Sequence, residues 1–160
     1  MTTMTTTMRN TIQTMGIVSC LLLASVAFAA PPVHQATGGG TIQFNDSLDT
    51  IAFTAQIDAA GEVKGQAEFQ LRDLNLTFHV VVDCLQVSGD NAWISGLISS
   101  ASDPARVGQR VLWQVRDNGQ GNAFSPDQVS LPVQFNPTTP CPGRPSLALV
   151  SWTNGNVQVR

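Results

Sequence analysis

Two cysteines beyond residue 30, two histidines and one acidic loop are the residues of this chain best suited to chemistry. The loop runs from Asp117 to Asp127 and sets Asn118, Gly119, Gln120, Gly121, Asn122 and Ser125 between two carboxylates. Hard cations take six to eight oxygens and a glycine-rich loop can turn carbonyls inward, so Ca2+ is the ion that Asp117, Asn118 and Asp127 would hold. The spacing departs from an EF-hand, because the third and fifth positions from Asp117 are glycines and no bidentate glutamate closes the loop. The plainer reading needs no cofactor. In it, Asn and Gly supply the positive φ of a tight connection while the two aspartates hold backbone N–H groups.

His34 lies in a leading segment and His79 stands alone on a strand face, so zinc finds no ligand set. As a hydrolytic base His79 would need a carboxylate, and Asp83, on the same face, is roughly 13 Å away by strand rise. Glu62, Glu68 and Asp73 supply other carboxylates, but nothing in the sequence orients them together. Gly38 to Gly40 precede a strand rather than a helix, which removes the phosphate-loop and dinucleotide readings. Trp113 is phased with core residues. Trp93 and Trp152 stand opposite or ambiguous to the apolar sets of their strands, so with His79 they are the candidate contacts for a sugar or small apolar ligand; core or sheet packing of the tryptophans is the plainer reading.

Once Cys20 leaves with an N-terminal leader, Cys84 and Cys141 form a pair. In an exported chain the expectation is one disulfide closing the 56 residues between them, worth about 4 kcal/mol by loop entropy. A nucleophilic Cys84 is the weaker reading, since His79 lies on the opposite strand face.

The elements that must position these residues begin after residue 29. A Thr- and Met-rich start with Arg9, an apolar run from Met15 to Phe28 and the small residues of Ala27-Phe28-Ala29 make residues 1–29 a signal peptide cleaved before Ala30. The run falls short of the ~20 residues that span a bilayer, so no transmembrane segment is expected after cleavage. The product is expected to be secreted, extracellular or periplasmic. A lipoprotein anchored through Cys20 is the minor alternative, resting on a lipobox-like Ile17-Val18-Ser19-Cys20; against it, the apolar run continues past Cys20 to Phe28.

Residues 30–40 read as a flexible N-terminal segment and 41–160 as one all-β domain. Period-two alternation recurs over Ile51 to Ile57, Val63 to Leu71 and Leu74 to Val87, where the phase slips past Cys84 as at a bulge. It continues over Ala92 to Ser99, with Gly96 marking a close backbone approach, and over Arg110 to Asp117. In Gln128 to Phe135, Pro132 on the outer face implies an edge strand. Ser146 to Trp152 and Asn156 to Arg160 read as a hairpin about Asn154-Gly155. Eight or nine short strands without an amphipathic helix predict a single antiparallel β-sandwich or meander β-barrel, and period alone does not choose between them.

Composition removes other classes. Only 12% of residues are charged against 42% hydrophobic, with Ser, Thr, Asn, Gln and Gly making up most of the rest, so disorder is not expected. Eight Lys and Arg, less Arg9 of the leader, leave seven against eleven Asp and Glu, a charge of −4 without a basic cluster. Nucleic acid is therefore not an expected partner.

Gly38-Gly39-Gly40-Thr41-Ile42, the stretch from Asp83 to Gly89 with Ala92 and Gly96 after it, and Val115 to Gly121 followed by Pro126-Asp127 resemble a group of uncharacterised secreted bacterial β-domain proteins. More weakly they resemble post-COAP-1-type domains. The resemblance covers most of residues 38 to 160 and implies an exported β-domain without implying an activity. The Cys84 and Cys141 pair fits the first group, and the compact length departs from the second. The expected role is a secreted, non-enzymatic β-domain that binds an extracellular or envelope ligand. The alternative is a small secreted hydrolase or isomerase working from a barrel-mouth pocket with His79 and a nearby carboxylate.

Overall fold

The computed structural model describes residues 31–120, 125–136 and 138–160, so the leader, its cleavage point and Cys20 lie outside the described residues. The strands are β1 (His34–Phe44), β2 (Ser47–Ile57), β3 (Val63–Leu71), β4 (Leu76–Ser88), β5 (Asn91–Ala101), β6 (Arg110–Arg116), β7 (Gln128–Ser130), β8 (Val133–Phe135) and β9 (Leu149–Val159). Each pairs antiparallel with its neighbours in the order β1–β2–β3–β4–β5–β6–β7–β9, and β9 pairs back onto β1. Eight strands thus close a meander barrel, with β8 as an extra strand beside β6. This resolves the choice left open by periodicity. No helix among the described residues is long and apolar enough to cross a membrane.

Alternation puts one face of every strand inside. Ile42, Ile51, Phe53, Phe69, Phe78, Ile94, Trp113 and Val157 are all buried there. Phe69 stacks on Phe78 at 5.0 Å between centroids, and Trp113 meets the rings of Phe69 and Phe53 edge-on at 5.2 and 6.3 Å. Aromatic side chains therefore fill the middle of the barrel, and each such burial contributes about 1.5–3 kcal/mol.

Four details differ from the sequence expectation. First, β1 begins at His34 rather than Thr41, so the segment expected to be flexible is a strand paired on both sides, with β2 and with β9. Second, the strand expected from Gln128 to Phe135 is interrupted at Leu131-Pro132. Its register against β6 slips by one residue between Val129↔Val115 and Val133↔Leu112, where proline has no N–H to give. Among the described strands only β8, paired to β6 alone, is an edge.

Third, no terminal hairpin forms. Residues 149–159 make one strand, and Asn154-Gly155 is a point of close approach instead of a turn. A Cβ on Gly155 would lie 2.5 Å from the Gly39 carbonyl oxygen, and one on Gly40 would lie 2.1 Å from that of Asn154. Asn-Gly reads the same in a turn and in a tight strand crossing, because both need the missing Cβ. The expected approach at Gly96 does occur, since a Cβ there would stand 2.1 Å from the Val81 oxygen. Fourth, the bulge in β4 falls at Asp83, one residue earlier than expected: Val82 faces Gly96 and Cys84 faces Ser95. Leu85 and Ile94, the next pair, belong to the interior cluster, so Cys84 and Ser95 turn to the outer wall.

Candidate functional site

On the outer wall of β4–β6, the chain ahead of β9 returns as a strap, residues 138–148. Cys141 in it is bonded to Cys84 with the Cα atoms 5.4 Å apart, the disulfide expected from the cysteine count. The Ser95 hydroxyl donates to the Pro140 carbonyl oxygen. Trp93 Nε1 donates to the Pro145 carbonyl at 2.8 Å, while the Arg144 guanidinium lies 5.7 Å from the Trp93 ring centroid and donates to the Val87 carbonyl. Gln114 Oε1 accepts from the Leu147 amide at 3.2 Å. Beneath the strap Arg110, 2% exposed, forks onto Asp83 at 2.5 and 2.8 Å and reaches the Pro140 carbonyl at 3.5 Å. A buried guanidinium needs such a partner, because an unpaired charge there costs several kcal/mol. Asp83 is thereby committed to Arg110 and is not a partner for His79.

The structure thus uses Trp93 as an anchor for the strap. Trp152 sits inside the barrel at 5% exposure, and its backbone N–H donates to the Asp127 carbonyl. Neither tryptophan reaches the open surface that holds His79. Their phase was ambiguous because the outer wall of β5 carries a second layer of chain, and β9 carries an irregularity in its pairing with β1 between Thr41 and Ile42.

The described ends of the acidic loop bring Asp117, Asn118 and Asp127 together. Asp117 accepts the amides of Gly119 at 2.9 Å and Val159 at 3.0 Å, and Asp127 accepts those of Asn118 at 2.8 Å and Val157 at 2.6 Å. Asn118 Nδ2 donates to the Pro126 carbonyl at 2.7 Å. The reason lies in strand length. β7 pairs with β9 only as far as Ser151, so the Val157 and Val159 amides, on the edge away from β1, have no neighbouring strand, and carboxylates stand in for its carbonyls. Each of the four carboxylate oxygens already accepts an N–H. Among the described residues no group of three or more His, Cys, Asp or Glu side chains is placed to hold a metal.

His79 lies elsewhere, on the outer wall of β4 in an open groove of about 510 Å³. Thr54, Gln66, Glu68, Val81 and Ser99 line it with His79. Glu68 on β3 is the direct cross-strand neighbour of His79. On the other side the β4–β5 register slips between His79 and Val80, which inserts Ser99; its hydroxyl donates to the His79 carbonyl at 3.3 Å. Glu68, His79 and Ser99 therefore stand in a row across three strands. The Glu68 carboxylate accepts from Gln70 Nε2 at 3.1 Å, and the His79 imidazole makes no hydrogen bond or ion pair among the described residues. A second depression of about 290 Å³ shares Thr54 and extends over Gln35, Thr37, Gln56 and Lys64.

Sequence reasoning treated Glu68 as unoriented, yet the signal was present. Leu71 and Leu76 pair across the short connection between β3 and β4, so counting three residues outward from each gives Glu68 opposite His79.

Comparison of the chain with family models, with curated proteins and with solved structures finds no match.

Proposed function

We propose that the protein is an exported, non-enzymatic binding domain whose open outer wall, from Gln35 on β1 to Ser99 on β5, takes a neutral ligand rich in hydroxyl or amide groups at the cell exterior or envelope. The observation that carries this reading is the lining itself. Gln35, Thr37, Thr54, Gln56 and Gln66 make no side-chain hydrogen bond among the described residues, and they border two connected depressions. An array of free donors and acceptors beside small apolar patches, here Ala52 and Val81, suits a polyol or saccharide, whose edges are polar and faces are C–H. The leader-like start, the disulfide and the resemblance to secreted bacterial β-proteins support an oxidising destination.

The test is a titration of isotope-labelled protein with neutral oligosaccharides, read at the side-chain amides of Gln56 and Gln66. Saturable shifts there, reduced at least tenfold in affinity by Gln66→Ala, are the expected result. Shifts confined to the strap, or none with any of the sugars, would defeat the reading.

One observation favours a second reading, a hydrolase: the Glu68, His79 and Ser99 row offers an orienter, a base and a hydroxyl in one groove. Its reacting site would be the outer wall and not a barrel mouth. Ester turnover that disappears in both His79→Ala and Ser99→Ala would replace the binding reading.

A further inference from the structure

We infer that Cys141 is the sulfur at which an external thiol attacks this protein, and that exchange there unlatches the strap from the outer wall of β4–β6. The two sulfurs of the disulfide are in unequal surroundings. Cys84 belongs to the barrel wall and is 2% exposed, whereas Cys141, exposed like Pro140 before it, lies over that wall. Exchange requires a thiolate to approach along the S–S axis, from behind the sulfur it attacks. Cys84 is enclosed in the wall, with Ser95 and Leu112 buried beside it in the β4–β5–β6 register, whereas Cys141 is exposed.

The reaction then has one direction. A thiolate of an external thiol bonds to Cys141 Sγ, the Cys141–Cys84 bond breaks, and its electron pair leaves on Cys84 as a thiolate. A second external thiolate takes the first sulfur from Cys141, giving an external disulfide and two reduced protein cysteines. The external thiol is the reductant, and two of its sulfurs are oxidised for each protein disulfide reduced.

The fate of the strap after reduction depends on its other ties. Prolines at 140, 142 and 145 have no N–H, so this part of the strap does not add to the sheet as a further strand. The remaining ties are single side-chain contacts: Ser95 and Arg110 to Pro140, Trp93 to Pro145, Gln114 to Leu147, and Arg144 of the strap to the Val87 carbonyl. None of the ladders that close the barrel includes residues 138–148. Loss of the cross-link therefore frees the strap without opening the barrel, and it uncovers Trp93, Ser95 and Gln114.

The experiment exposes the exported, oxidised protein to glutathione, quenches with acid and locates the first adduct by tandem mass spectrometry. Glutathione on Cys141 in at least tenfold excess over Cys84 is expected. Equal labelling, preference for Cys84, or no adduct under conditions where the denatured chain reacts, each overturns the inference. A second measurement tracks the fully reduced, alkylated protein by hydrogen exchange and by iodide quenching of tryptophan. Faster exchange in residues 138–148 and a new quenchable tryptophan, with β1–β5 amides still protected, are expected. A strap as protected as before, or one that loses protection together with the whole barrel, overturns the latch.

Discussion

The two halves of the outer wall share the same alternation and meet opposite fates. On β4–β6 the outward positions Cys84, Trp93, Ser95 and Gln114 are roofed by the strap, while on β1–β3 the outward positions Thr37, Thr54, Gln56 and Gln66 stay open. Residue type accounts for the difference. The roofed half carries a sulfur and an indole that gain from burial, and its donors find the carbonyls of a proline-rich segment that has few N–H groups to pair as a strand. The open half carries hydroxyls and amides that gain nothing from burial without partners. A polar outward residue in this protein is thus structural where the chain folds back over it and available to a ligand where it does not.

The sharpest way to break that contrast is to remove the cross-link. The double variant Cys84→Ala/Cys141→Ala should lose about 4 kcal/mol in denaturant unfolding, the loop-entropy value for a closure of 57 residues. A loss below about 1 kcal/mol would mean that the roofed half is held by its hydrogen bonds alone.

Next in size is the seam where β7 ends early. Asp127→Ala removes two acceptors from amides at 2.8 and 2.6 Å and leaves the Val157 amide in the interior without a partner. The expected loss is about 3 kcal/mol in unfolding free energy, from two charge-assisted hydrogen bonds. If added Ca2+ stabilised the wild type in thermal melts and the variant abolished that effect, the loop would be an ion site and the account of it as a replacement strand edge would fail.

Smaller still is the difference between one residue from each half. Trp93→Phe keeps an aromatic ring, though a smaller one, and deletes the hydrogen bond to Pro145, for about 1 kcal/mol or more, whereas Gln66→Ala on the open wall should change stability by no more than about 0.5 kcal/mol. Equal losses in the two variants, by chemical denaturation, would erase the distinction between anchoring and free polar residues.

Legibility from the sequence tracks the range of the interactions. Strands from β2 to β6 were readable because period two and turn residues act within ten residues or so, and the disulfide was readable because two cysteines leave one pairing. The choice of barrel over sandwich was not, since it rests on β9 closing onto β1 across more than a hundred residues. The misplaced hairpin at Asn154-Gly155 has the same origin: a glycine required by a partner strand far away looks like a glycine required by a turn. Of the groove, His79 was singled out but Glu68 was passed over, although Leu71↔Leu76 fixes it by short-range register. The hydrogen bond from Trp93 to Pro145 is not legible in the sequence, because nothing in β5 itself announces a strap arriving from residue 145.

The smallest effect concerns the turn that sets the open half in register. Asp58, between β2 and β3, accepts the amides of Glu62 and Ala60, both at 2.9 Å, and stands 3.6 Å from Lys64 Nζ. The Glu62 amide first, then that of Ala60 and the Lys64 charge, hold its carboxyl below the usual aspartate range; partial desolvation opposes them without reversing the direction. Because the folded group is the stronger acid, its contribution is present above the unfolded aspartate range and is lost as pH falls through the folded midpoint. A carboxyl titration by NMR should therefore place the Asp58 midpoint below that of an unstructured aspartate. In Asp58→Asn the acid-side decline in stability should be correspondingly shallower. A midpoint at or above the unstructured value would show that the turn does not hold the carboxylate. Thr54 and Gln66, which face one another on the strands this turn joins, would then lack a local device to fix their register.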